Sequence, residues 1–78
     1  MAEDAQELRA ALSSNIRALR KAQGLAQERL GLEAGVDRTF VSKLERGIGN
    51  PTLDILVKIA NRLGVKVVDL LRVEEDAN

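Results

Sequence analysis

The sequence predicts an all-α domain built from five helices. Three observations point there. Gly24, Gly35, Gly47, Gly49 with Asn50-Pro51, and Gly64 cut the chain into five segments. Apolar residues recur at helical spacing in four of them. Period-2 alternation is confined to the short Val65-Lys66-Val67. At 78 residues, one small domain is the ceiling.

The first helix opens on Asp4 with Glu7 three residues on, a capping-box pattern. Leu8, Leu12, Ile16 and Leu19 form its apolar stripe, and Gly24 ends it after Gln23. Ser13-Ser14-Asn15 offers an alternative start. The second helix, Gln27 to Ala34, puts Leu30 and Ala34 on one face and stops at Gly35. Its N-cap is Ala26, where Ser or Thr would stabilise by about 1 kcal/mol more. The third, Arg38 to Arg46, starts from a good cap, Asp37. It turns Val41 and Leu44 inward and Arg38, Thr39, Ser42, Lys43 and Arg46 to the other side. The fourth follows Thr52, with Asp54 in its first turn and a stripe of Leu53, Leu56, Ile59, Ala60 and Leu63. The fifth is short, about Val67 to Arg72, with Val68, Leu70 and Leu71 as its apolar residues. The acidic Glu74-Glu75-Asp76 is expected to fray. The chain thus divides into an N-terminal extension of helix 1 (1–11), a helical domain (12–72) and an acidic tail (73–78).

Composition removes several function classes. The chain has no cysteine and no histidine, which excludes disulfides, iron–sulfur clusters, a thiolate nucleophile, the usual zinc ligands and the usual general base. Ser13, Ser14 and Ser42 have no supporting base, the carboxylates are scattered, and no glycine-rich phosphate loop follows a strand. No enzyme, metal or cofactor is expected. No apolar run approaches the roughly 20 residues of a membrane span, and the acidic start is unlike a secretion signal, so no membrane partner is expected and the cytoplasm is the default. Net charge is zero, but residues 9–66 carry eleven basic side chains against five acidic ones. On its own that imbalance fits an ordinary solvated surface better than a polyanion-binding face.

The stretch 27–46 is more specific. Two short helices joined by Ala34-Gly35-Val36-Asp37 describe a helix-turn-helix. A close crossing needs a small residue, supplied by Gly31. The turn needs one positive φ, supplied by Gly35. Leu30, Ala34, Val36, Val41 and Leu44 anchor the angle. The bland alternative is a helical hairpin in a small bundle.

Asn15-Ile-Arg-Ala-Leu-Arg-Lys-Ala-Gln-Gly-Leu, Gln27-Glu-Arg-Leu, Ala34-Gly-Val-Asp-Arg-Thr-Phe-Val-Ser-Lys-Leu-Glu-Arg-Gly and Asn50-Pro-Thr-Leu-Asp together resemble the Cro/repressor (Xre) family of DNA-binding regulators. The likeness covers roughly residues 12–71. It implies a five-helix, lambda-repressor-like DNA-binding domain that acts as a symmetric dimer on double-stranded DNA. The run Asp37 to Ser42 followed by Glu45-Arg46-Gly47 is similar to controller proteins of restriction–modification systems. Ala26 and Gly31 depart from the family pattern and should soften helix 2. Ile48-Gly49 lacks the basic residue often found before Asn50, which argues for a looser loop and against a phosphate contact there.

The third helix of such a motif lies in the major groove with its first residues at base edges. Arg38 is the first choice for direct readout; paired with Asp37 or solvated, it would be an ordinary surface residue. Thr39, Ser42 and Lys43 share its side. Gln27 can help grip a phosphate at the start of helix 2. Arg17, Lys21 and Arg46 are candidates for phosphate neutralisation. Phe40 either contacts DNA or packs partly against helix 4. The resemblance also implies a partly buried Arg20–Glu45 pair positioning helix 3. Ile55, Leu56, Val65, Val67, Val68 and Leu71 exceed what a small core can absorb and are expected to form a homodimer interface. The expected function is a regulator acting on a palindromic operator, a repressor or an activator, in a restriction–modification operon. An activator of this kind would contact RNA polymerase through the exposed side of helices 2 to 4. The competing reading is an antitoxin or other protein-interaction module whose DNA binding is secondary.

Overall fold

The computed structural model describes residues 3–73 as five helices: α1 (Ala5–Ala22), α2 (Gln27–Ala34), α3 (Arg38–Glu45), α4 (Leu53–Leu63) and α5 (Val67–Leu70). The acidic tail beyond Val73 lies outside the described residues.

The helices begin where the sequence places their caps. Asp4 accepts the Gln6 amide at 2.7 Å, a simple cap in place of the expected capping box. Asp37 accepts the Thr39 amide at 2.8 Å, and the Thr52 hydroxyl accepts that of Ile55 at 3.2 Å. Ala26 makes no side-chain cap. The Asp69 carboxylate accepts the Lys66 amide at 2.9 Å and starts α5. Ser13 does not start α1; it sits buried in mid-helix.

Leu12 and Ile16 of α1, Leu30 of α2, Val41 and Leu44 of α3, Leu56, Ile59 and Leu63 of α4, and Leu70 of α5 form one core. α1 packs on α3 and α5, and α2 packs on α3 and α4. Burying six side chains to below 2% exposure, Ile16, Leu30, Val41, Leu44, Ile59 and Leu70, provides the main driving force for the fold.

At the α2–α3 crossing, a β-carbon on Gly31 would stand 2.6 Å from the Val36 carbonyl oxygen. Gly31 is therefore a requirement of this crossing and not merely a softened helix position. The turn itself runs through Gly35 at φ 76°, a left-handed conformation that disfavours side chains.

Several expectations need correction. Helix 5 is a single turn ending at Leu70, because the Asn15 side-chain amide takes the carbonyls of Leu70 at 2.8 Å, Arg72 at 3.0 Å and Asp69 at 3.3 Å. The α3–α4 loop is tied down, not loose. Arg9 donates to the Gly49 carbonyl at 3.2 Å, and Gly49 is buried so tightly on Leu44 that a β-carbon would lie 2.7 Å from Leu44 Cδ2. Leu53 does not join the α4 stripe; the first residue of the helix, it lies clear of the core and is 73% exposed.

Candidate nucleic-acid interface

The third helix is fixed from three sides. Val41 and Leu44 are buried against the core. Asp37 holds its first turn through both the amide and the hydroxyl of Thr39, the latter at 2.6 Å. These bonds hold the Asp37 carboxyl below its usual range, and the nearby Arg38 and Lys43 charges act in the same direction.

The far end is held by α1. Arg20 Nε donates to Glu45 Oε2 at 2.6 Å and Nη2 to Oε1 at 2.9 Å, while Nη1 donates to the Leu25 carbonyl at 2.8 Å. Gln27 Nε2 donates to Glu45 Oε1 at 3.0 Å, joining the start of α2 to the same carboxylate. Burial opposes charge on Glu45, but hydrogen bonds from Arg20 and Gln27 and the charges of Arg20 and Arg17 outweigh it and hold the carboxyl below its usual range. The hydrogen bond to Glu45 raises the pKa of Arg20. Ser13 Oγ donates to the Glu45 backbone carbonyl at 2.6 Å, and Arg17 Nη2 donates to the same carbonyl.

Against this frame the expected site residues divide. Arg38, Thr39, Lys43 and Arg46 are exposed and Ser42 is half-buried, all on α3 or at its end. Arg38 is not paired with Asp37; its Nη1 lies 3.8 Å from Glu28 Oε2 on α2. Arg46 Nε donates to the Ser42 carbonyl at 3.4 Å. Phe40 is half-buried and packs against the core. Gln27 is half-buried at the start of α2, where its Nε2 donates one bond to Glu45 and no side chain caps the helix. Arg17 Nη2 donates to Ser13 and to the Glu45 carbonyl, and its side chain remains 45% exposed.

The expected dimer surface also divides. Leu56 belongs to the core at 6% exposure, because it shares the inward stripe of Ile59, Ala60 and Leu63. Ile55, Val65, Val67 and Leu71 are half-buried and pack against the core. Val68 is exposed, as are Leu53 and Val57 on α4. The sequence reading missed Glu28, Ser13 and Asn15. Ser13 was legible as a hydroxyl on the inward side, one and two turns before Ile16 and Arg20; nothing local marked the other two.

Residues 16–70 match the helix-turn-helix family HTH_3. The chain belongs to this family. A hypothetical transcription factor of Neisseria meningitidis serogroup B is 44% identical over 68 residues, covering 87% of this chain and 64% of that protein. The chain thus spans just under two thirds of that relative's length. A crystal structure of a hypothetical Neisseria transcription factor superposes with a TM-score of 0.82 at 41% identity, covering 94% of this chain and 84% of that one. The restriction–modification controller protein C.AhdI of Aeromonas hydrophila superposes with a TM-score of 0.76 at 35% identity, covering 80% and 94%. The biofilm master regulator SinR, solved in complex with DNA, superposes with a TM-score of 0.75 at 32% identity, covering 78% and 98%. As a helix-turn-helix protein the chain carries the DNA-binding domain of this class of transcriptional regulators. Among the described residues no helix is long and apolar enough to cross a membrane.

Proposed function

We propose that this helix-turn-helix protein is a sequence-specific transcriptional regulator that binds a palindromic operator as a homodimer, in a restriction–modification operon. The observation that carries the reading is the outward side of α3. Arg38, Thr39 and Lys43 are exposed there, on a helix whose opposite side is locked by Val41 and Leu44 and whose end is held through Glu45. A rigid helix with polar and basic side chains at its start suits a major groove. Arg38 is assigned to guanine readout, with Thr39, Ser42 and Phe40 beside it. Lys43 and Arg46 are assigned to phosphates. The α2 start, where no side chain caps the amides at Gln27, suits a further phosphate.

The dimer is supported by exposed Leu53, Val57 and Val68, which the core of one chain leaves uncovered. A twofold pair would set its recognition helices about 34 Å apart, one turn of DNA. The operon setting is supported by the likeness to a restriction–modification controller.

The test is a footprint on DNA upstream of the gene, followed by two variants. Arg38→Ala should remove about 1–3 kcal/mol of preference at one base position. Arg46→Ala should weaken operator and random DNA alike and reduce the salt slope by about one. Equal losses on both DNAs for Arg38→Ala would end its assignment to base readout.

A further inference from the structure

We propose that Glu28 is a positioning residue for base readout: from α2 its carboxylate orients the Arg38 guanidinium, so the pair, and not Arg38 alone, sets base preference. The inference rests on α3 being the recognition helix.

Two acids stand close to the start of α3, and their roles differ. Asp37 accepts both the amide and the hydroxyl of Thr39, so its carboxylate is directed at the helix start. Glu28 caps nothing, and among the described residues its ionic partner is Arg38, across the motif at 3.8 Å. The two side chains are 76% and 66% exposed, and with Gln27, Thr39 and Ser42 they line an open cavity of about 300 Å³. So exposed a pair adds little to the stability of the fold. Its consequence is orientation.

A carboxylate on a surface that meets phosphates weakens binding to any DNA, because like charges repel. Specific binding gains in exchange. The guanidinium is a planar fork with more than one donor edge. An edge held toward Glu28 leaves another for the O6 and N7 acceptors of guanine. Freed from Glu28, the long side chain samples more rotamers and reaches phosphates, which are present at every sequence. Glu28 therefore disfavours the non-specific mode and restricts Arg38 to the specific one.

Glu28→Gln keeps the side-chain size and removes the charge. Its binding is measured on the footprinted operator, on operators changed at the base read by Arg38, and on random DNA over a range of salt. Each measurement is repeated in an Arg38→Ala background, with helical content checked by circular dichroism. The expected result is tighter random-DNA binding with a salt slope steeper by about one. Preference at the Arg38 position should fall by about twofold to fivefold, the range an exposed ion pair can supply. In the Arg38→Ala background Glu28→Gln should leave base preference unchanged. Preference that survives Glu28→Gln, or that falls equally in both backgrounds, overturns the positioning role while leaving α3 as the reader. A wild-type chain without sequence preference removes both.

Discussion

Glu45 stands in the last turn of α3, yet both oxygens of its carboxylate are held by Arg20 of α1. The side chains are 4% and 13% exposed, so removing one leaves the other charge largely shielded from water, with Gln27 and Arg17 as the groups still facing Glu45. α3 is thus fixed to α1 by charge as well as by apolar contact.

Arg20→Ala should cost about 3–5 kcal/mol, because it strands a buried carboxylate. Urea unfolding of the variant measures the loss directly. Replacing both partners with leucine should cost less than Arg20→Ala alone, since no charge is then left buried.

Acid should weaken the fold through the same residue. The folded-state pKa of Glu45 lies below its ordinary value of 4.5, so its ionisation stabilises the folded chain in full above that value. The stabilisation is lost as pH falls through the depressed folded-state value. Asp37 shifts the same way and adds to the same trend. Tm should therefore drop on acidification below about pH 4.5. Glu45→Gln should lower Tm at neutral pH and flatten that acid limb.

The Gly31 crossing should reject bulk. Gly31→Val places a branched side chain where a β-carbon already meets the Val36 carbonyl, and should cost about 2–3 kcal/mol or more. Chemical denaturation gives the figure. A variant as stable as wild type would show that the crossing opens freely.

Val57→Glu should separate a dimer without unfolding its subunits. Val57 is 44% exposed on the outer side of α4, beside Leu53 one turn earlier, so a charge there meets water in the free chain. Light scattering should show a shift from twice the chain mass to the single mass, with unchanged helical content. A wild-type chain that remains single at micromolar concentration and on DNA would remove the symmetric arrangement.

The elements that local chemistry dictates were readable in advance. Asp37, Thr52, Gly35 and Gly64 fix helix ends by backbone bonding within a few residues, and those ends lie where the sequence puts them. The crossing was readable for a related reason: only a small residue at Gly31 permits it. The misreadings concern residues whose surroundings come from distant parts of the chain. Leu53 and Leu56 both fit the α4 stripe, but only Leu56 lies over the core. Asn15 meets carbonyls more than fifty residues away, and Glu28 meets Arg38 only after the motif has folded back on itself.

One helical turn of α1 has two grips. Ser13 and Arg17 clasp the end of α3 through the Glu45 carbonyl, and between them Asn15 clasps the closing turn of α5. α1 is in effect a stiff rod linking the C-terminal turn to the helix that carries Arg38. The closing turn of α5 and the end of α3 are therefore anchored on the same turn of α1, and a single substitution in that turn can loosen both.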